Sequence, residues 1–128
     1  MKTLSLTIVG QLKSGKNGMQ VTRSGHHYPK PGWAAWRDAT ILFISAQNRP
    51  KVAFDSRCRA DVRYWSGDAR RRDVPGMIDA ICHCLERSGT VKDDSLLVSW
   101  KWDFMGLDRE HPKAEIVITE LDMSGSVL

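Results

Sequence analysis

The sequence lacks an apolar run of the roughly 20 residues that a membrane-spanning helix needs. Its first nine residues alternate between polar and apolar side chains, without the long apolar centre and small-residue cleavage site of a signal peptide. It also contains no internal repeat and no low-complexity segment. We therefore expect a soluble cytoplasmic protein that makes no contact with a membrane.

Cysteine is scarce. The three cysteines, Cys58, Cys82 and Cys84, cannot all pair within the chain, and none has the Cys-x-x-Cys spacing of a zinc or redox site. Cys82 and Cys84 would point about 200° apart on a helix, so they cannot chelate one ion together. A zinc site would have to combine these thiols with the histidines His26, His27 and His83. We instead expect reduced, partly buried thiols.

A nucleotide-binding P-loop is also missing. Gly10 and Gly15 have the spacing of Gly-x-x-x-x-Gly-Lys-[Ser/Thr], but Lys16 is followed by Asn17 where that motif requires a hydroxyl. No apolar helix begins after these residues. The segment therefore does not predict a nucleoside triphosphate site.

The composition is that of one globular domain with a mild preference for polyanions. The chain has 128 residues, 41% of them hydrophobic, and 19 Lys and Arg against 15 acids give a net charge of +4. This length can bury a sizeable core without disulfides or structural metal. We expect a single domain over residues 1–128. Six arginines crowd the middle of the chain: Arg57, Arg59, Arg63, Arg70, Arg71 and Arg72.

The hydrophobic pattern predicts an α+β fold, a mixed sheet packed with two main α-helices. Alternating segments predict strands over residues 3–9, 51–65, 95–104 and 114–121. In the first of these strands, Leu4, Leu6 and Ile8 would share one face. Residues 11–32 are predicted to be a long basic loop or an irregular hairpin around residues 19–22, and residues 123–128 a loose tail.

Two helices complete the predicted fold. The first covers residues 33–47, with an apolar stripe of Trp33, Trp36, Ala39, Thr40, Phe43 and Ile44. The second runs from about residue 74 to 88, with Asp73 at its N-cap, Pro75 in its first turn and Gly89 at its end. Its apolar stripe would comprise Val74, Ile78, Ile81 and Leu85, with Met77 beside it.

The segment from Arg70 to Asp94 concentrates the residues that indicate a function. Three arginines, residues 70–72, precede Asp73 at the N-terminus of the second helix, and Asp93 and Asp94 follow that helix. Cationic side chains steer a polyanion, and clustered carboxylates hold a divalent metal ion. This combination suits chemistry on phosphate.

Two short motifs in this segment carry a family resemblance. Arg71-Arg72-Asp73, followed by a helix and then by Asp93-Asp94-Ser95, resembles the RusA family of Holliday-junction resolvases. The resemblance implies a homodimeric, Mg²⁺-dependent endonuclease, often carried by prophages, that cuts four-way DNA junctions in recombination and repair. Mn²⁺ is the alternative ion.

The chain departs from the family motif at three positions. The second aspartate of the motif falls on Pro75, its asparagine on Gly76 and its lysine on Asp79. Asp73 and Asp94 match metal-binding aspartates of the family, whereas Pro75 cannot be a ligand. Two interpretations follow, one with a relocated site and one without catalysis.

In the first interpretation, Asp79 replaces the missing carboxylate. It lies one turn beyond Pro75 on the same helix face, about 5–6 Å away between Cβ atoms. Asp73, Asp79 and Asp94 would then hold Mg²⁺ and carry catalysis. Asp93 would be a further ligand or would support one, and His83 would support a ligand or, as the less favoured alternative, bind the ion itself. We favour this interpretation because an aspartate in place of the lysine is what compensation for the lost aspartate would look like.

In the second interpretation, the protein binds branched DNA without cutting it. Either way, the resemblance and the cationic segments predict contacts to the phosphates of a four-way junction. The residues expected to make them are Arg70, Arg71, Arg72, Lys13, Lys16 and Lys92. A homodimer would supply the two symmetric sites that two opposed nicks require.

Overall fold

The computed structural model describes residues 2–15, 19–21, 23–71 and 73–122. It has a mixed four-stranded sheet and two long helices, which confirms the predicted α+β class. The predicted phosphate contacts Lys16 and Arg72, and the tail at 123–128, lie outside the described residues.

The sheet has the strand order β1-β6-β4-β5. β1 and β6 are antiparallel, as are β6 and β4, whereas β4 and β5 are parallel. The strand bounds are β1 Thr3–Val9, β4 Cys58–Ser66, β5 Leu97–Leu107 and β6 Lys113–Glu120. A separate hairpin of β2 (Met19–Val21) and β3 (His27–Pro29) falls within the segment predicted to be a basic loop or irregular hairpin.

The alternating pattern of the strands correctly predicts which sheet face is buried. In β1, Leu6 and Ile8 are buried. In β6, Ile118 is fully buried, whereas its neighbour Val117 is 38% exposed. In β4, the inward side chains are Ala60, Val62 and Tyr64. One face of the sheet therefore builds the core with the helices, and the opposite face carries charged side chains.

β4 is shorter and β5 is longer than the sequence indicates. β4 begins at Cys58 rather than near residue 51, because Phe54 makes an isolated bridge to Val91 instead. β5 begins at Leu97 because Asp94–Leu96 forms a short 3-10 turn, and the strand then continues to Leu107.

Helix α2 covers Val74–Arg87, close to its predicted bounds. Asp73 is at the N-cap, but its carboxylate accepts no capping hydrogen bond from the helix, and Gly89 follows the helix with φ +75°. The buried face differs from the predicted stripe, since Val74 and Ile78 are only partly buried. The face that meets the core consists of Gly76, Met77, Ala80, Ile81, Cys84 and Leu85. The segment that precedes the first helix also packs on this face, because Gly15 lies next to Ala80.

Helix α1 covers Pro31–Gln47, two residues more than predicted at its start. Its buried residues are Thr40 and Ile44, whereas Phe43 is 47% exposed, so the predicted stripe is only partly correct. The helix ends at Asn48, whose side-chain amide donates to the carbonyl of Val52 and accepts from its N–H. This pair of hydrogen bonds turns the chain away from the helix axis.

The cysteines are free, as predicted. Cys58 and Cys84 are buried, and Cys82 is partly buried. Burial raises the pKa of the Cys58 thiol to about 11 and the pKa of Cys84 to about 12. Among the described residues, no helix is long and apolar enough to cross a membrane.

The two faces of β6 give a matched test of the core. We expect Ile118→Ala to lower the free energy of unfolding by about 2–5 kcal/mol, because it leaves a cavity beneath the sheet. Val117→Ala, one residue away on the outer face, should cost less than about 1 kcal/mol. Urea unfolding followed by circular dichroism measures both. Equal losses for the two variants would contradict the assigned faces.

Candidate metal centre

Three carboxylates meet beyond the last turn of α2. An oxygen of Glu86, an oxygen of Asp93 and an oxygen of Asp94 all lie within 4.8 Å of one another. Glu86 is partly buried, and both aspartates are exposed. In the described part of the chain, no other group of three such residues comes this close together. The structure thus contains a carboxylate cluster that can hold a metal ion.

The backbone after α2 brings these three residues together. The chain reverses at Gly89, and the N–H groups of Thr90 and Val91 donate to the carbonyl of Leu85 at 3.0 and 3.2 Å. The N–H of Asp94 then donates to the Glu86 carboxylate at 3.2 Å. This hydrogen bond crosses from the following turn back to the helix and closes the cluster.

A second hydrogen bond orients Asp93. Its carboxylate accepts from the N–H of Ser95 at 2.8 Å, at the start of the 3-10 turn. This backbone donor, together with the Ser95 hydroxyl, lowers the pKa of Asp93. Asp93 is therefore ionised and held in place at neutral pH.

Asp94 has the opposite electrostatic environment. Burial, followed by repulsion from Glu86 and from Asp93, raises the pKa of its carboxyl group. Negative charges that repel one another at this spacing are relieved by a cation between them. Oxygen-only donors of this kind are the ligands that Mg²⁺ prefers, so the residues fit the ion predicted from the sequence.

Asp73 lies far from this cluster. It is at the N-cap of α2, thirteen residues before Glu86. Since an α-helix rises 1.5 Å per residue, the two positions are about 20 Å apart along the helix axis. Within a single chain, Asp73 therefore does not join Asp93 and Asp94 around one ion.

Asp79 is closer but also outside the cluster. Seven residues separate it from Glu86, which is about 10 Å along the helix on nearly the same face. Its charge still acts in this region: after burial, Asp94 and Asp79 are the main causes that raise the pKa of Cys82 to about 12. The catalytic roles given to Asp73 and Asp79 stay predictions.

Glu86 is a site residue that was not predicted from the sequence. The helical spacing could have identified it, because Glu86 follows Asp79 by two turns on the same face of the helix. Only the reversal at Gly89 shows that this face meets the turn that carries Asp93 and Asp94.

A segment that precedes α1 packs on the other end of α2. The N–H of Gly15 donates to the carbonyl of Gly76 at 2.9 Å. A Cβ atom on Gly76 would collide with the Ser14 hydroxyl and would lie 2.6 Å from an oxygen of Asp73. The missing side chain at Gly76 therefore lets this segment approach Asp73, and it leaves Lys13 exposed nearby.

His83 lies between an aromatic pair and the cluster. The ring of Trp33 stacks on Trp36 at 5.5 Å and contacts the His83 ring at 6.0 Å. Burial lowers the pKa of His83, and the nearby Arg87 and Arg37 lower it further. Nε2 of His83 is buried without a hydrogen-bond partner. His83 is therefore neutral at pH 7, and its supporting role toward a ligand stays a prediction.

Two cations are neighbours of cluster residues in the sequence. Arg87 follows Glu86 directly, Lys92 precedes Asp93, and both side chains are exposed. Arg70 and Arg71 are exposed before the opposite end of α2. Of the predicted phosphate contacts that the structure describes, Lys92 is therefore the sequence neighbour of a cluster residue, whereas Arg70 and Arg71 are close in sequence to Asp73.

Neither a comparison with protein-family models nor one with curated proteins gives a match. The resemblance to the RusA family therefore stays a prediction from the motif.

The raised pKa of Asp94 predicts an unusual sign for its effect on stability. A carboxyl whose pKa is higher in the folded protein contributes stability at low pH, and this is lost as the pH rises through the folded pKa. In EDTA at pH 7, Asp94→Asn should therefore raise the free energy of unfolding, by less than about 1 kcal/mol because the group is exposed. The gain should vanish below the ordinary pKa of 3.8.

Asp93→Asn is the matched control for this experiment. Because the pKa of Asp93 is lowered, its ionised form contributes stability above the ordinary pKa, and that stability is lost as the pH falls through the folded pKa. The control variant should thus be less stable than the wild type at pH 7. Thermal unfolding between pH 3 and 8 measures both variants. A loss of stability in Asp94→Asn at pH 7 would contradict the account of mutual repulsion.

Proposed function

We propose that this protein binds Mg²⁺ at Glu86, Asp93 and Asp94 and hydrolyses phosphodiester bonds of branched DNA, with the four-way junction as its substrate. The observation that carries the proposal is the group of three carboxylates within 4.8 Å, two of which have an exposed cation, Arg87 or Lys92, as their neighbour in the sequence. Carboxylates alone would repel DNA. Together with a divalent ion and neighbouring cations, they favour a phosphate.

The donor set supports Mg²⁺ as the ion. All three ligands are carboxylates, and hard divalent cations prefer oxygen donors, with Mn²⁺ the closest substitute. A bound ion of this kind supplies a Lewis acid that polarises a phosphoryl oxygen and offsets its charge. The protein contributes the fixed positions of its carboxylates through the Ser95 N–H and Asp94 N–H hydrogen bonds.

The cations give the substrate its orientation. Arg87 and Lys92 would contact the phosphate at the cluster, and Arg70, Arg71 and Lys13 would contact the backbone near the start of α2. Contacts to phosphates fix the position of DNA without reading its sequence. Recognition would then depend on the shape of the junction, and affinity would fall with increasing salt. As a homodimer, the protein would act on two opposed strands.

A second candidate function is binding of branched DNA without cleavage. Asp73 lies about 20 Å along α2 from Glu86, which is grouped with the motif residues Asp93 and Asp94. This distance favours the second function, because the motif carboxylates then cannot share one ion within a single chain. Pro75, in place of the motif's second aspartate, favours it too. The two functions differ in their metal dependence, because only cleavage requires the divalent ion.

Cleavage of a labelled four-way junction tests the proposal. The wild type should make paired nicks with Mg²⁺ and none with EDTA. Glu86→Gln should lower the cleavage rate by roughly a hundredfold or more, because it removes a ligand of the ion. Asp79→Asn, on the same face of α2 and outside the cluster, is the matched control and should retain most of the activity.

Junction binding, measured by gel shift in Ca²⁺, separates the remaining outcomes. Binding without cleavage by the wild type would favour the second candidate function. Loss of cleavage in Asp79→Asn with full activity in Glu86→Gln would support the site predicted from the sequence against the cluster. A wild type that neither binds nor cuts the junction would refute both functions.

A further inference from the structure

Strand β5 forms a free edge of the sheet. It is 11 residues long and pairs with β4 on one side, and no described strand pairs with its other side. Such an edge presents unpaired N–H and C=O groups to which another strand can bond. Large apolar side chains are exposed along it: Val98, Phe104, Met105 and Leu107. Apolar edges of this length are normally covered in soluble proteins.

The middle of this edge has a symmetric arrangement of side chains. Between its two register shifts, β5 runs regularly from Ser99 to Phe104. Lys101 and Asp103 project from the outer sheet face, and they lie on either side of Trp102 in the sequence. Trp100 and Phe104 flank them on the opposite face. On each side of Trp102 the strand has first a charged residue and then an aromatic one. The charges are opposite, because Lys101 precedes Trp102 and Asp103 follows it.

We propose that two copies of this chain pair through their β5 edges, antiparallel and about a two-fold axis at Trp102. Lys101 would lie opposite the partner's Asp103, and Trp100 opposite the partner's Phe104. Two four-stranded sheets would become one continuous sheet of eight strands. This inference rests on the strand register and on the side chains of β5, and it does not depend on DNA cleavage.

The charges favour this pairing over pairings that are shifted by one or two residues. A shift by two residues in one direction would put Lys101 opposite Lys101, and in the other direction Asp103 opposite Asp103. Like charges directly opposite one another destabilise a strand pair. A shift by one residue would move the aromatic side chains to the charged face. The proposed pairing is therefore the one in which both faces of the edge match.

The alternation of charges within one chain would continue across the seam, the proposed contact between the two β5 strands. Arg63 of β4 lies opposite Glu115 of β6, with an ion pair of 3.4 Å, and opposite Asp103 of β5. Asp61 lies opposite Lys101 in the strand register, and the charged atoms of Lys101 and Asp103 are 3.9 Å apart within β5. With the partner's Lys101 beside Asp103, charges of alternating sign would follow one another across the interface. The order would be Glu115, Arg63, Asp103, the partner's Lys101 and the partner's Asp61. This charge complementarity identifies a second copy as the occupant of the edge.

The buried side of the seam would be apolar. Trp102 contacts Tyr64, with ring centroids 5.8 Å apart. Next to it, a hollow of about 230 Å³ lies under the edge and is lined by Trp102, Phe104, Leu107, Val74 and Met77, among others. Cross-strand aromatic pairs add to pairing stability. The partner's aromatic side chains would thus continue an apolar surface that a single chain leaves open.

Charge reversal gives a complementation test. The wild type should be dimeric in sedimentation equilibrium, and its dissociation constant should rise with salt. Lys101→Glu alone, or Asp103→Lys alone, would put like charges opposite one another at two places across the axis. Each should weaken dimerisation by roughly tenfold or more. Both side chains are about half exposed, and circular dichroism checks that the variants fold.

Mixing the two variants is the decisive arm of the experiment. In the mixed dimer, both cross-strand pairs again join opposite charges, so an equimolar mixture should dimerise about as tightly as the wild type. Arg49→Glu, a charge reversal of the same size at an exposed position after the end of α1, lies away from β5 and should leave the dissociation constant within about threefold. A monomeric wild type, single variants that dimerise normally, or a mixture that stays monomeric would each overturn the proposal.

Discussion

The packing of α2 against the sheet is the constraint on which the rest of the structure depends. Met77, Ile81 and Leu85 bury their side chains in the core, so the helix cannot rotate or slide without opening cavities beneath Ile116 and Ile118. Because the helix is continuous over its 14 residues, its length fixes how far apart its two ends lie. The acids before the helix and the acids after it consequently belong to different parts of the surface.

The site forms where the chain reverses after this helix. Gly89 adopts a positive φ that side chains disfavour, and the turn that follows is held by backbone hydrogen bonds to Leu85. Asp93 is stabilised in its ionised form, whereas Asp94 is destabilised in its ionised form, because their hydrogen bonds and neighbouring charges differ. Such a cluster can hold a cation, and Arg87 and Lys92, next to Glu86 and Asp93 in the sequence, are exposed.

Much of the fold could be predicted from the sequence, because strand alternation reports directly which side chains are buried. In β6, for example, the alternation predicts that Ile116 and Ile118 share one face and Val117 the other. The bounds of α2 follow from Asp73, Pro75 and Gly89. The phase of α1 was harder to predict: Phe43 has the apolar character of the stripe, yet it faces solvent because α2 packs on a neighbouring face. Asp93 and Asp94 were identified from their motif, but Glu86 was not, since its proximity depends on a reversal in three dimensions. The edge symmetry around Trp102 likewise requires the strand order.

The measurement that tests the central claim most directly is a titration with Mn²⁺, followed by electron paramagnetic resonance of the free ion. The account predicts one site per chain in the wild type, an affinity at least about tenfold weaker in Glu86→Gln, and an unchanged affinity in Asp73→Asn, whose carboxyl lies at the other end of α2. Equal binding by the wild type and Glu86→Gln, or loss of binding in Asp73→Asn alone, would contradict a metal site at Glu86, Asp93 and Asp94.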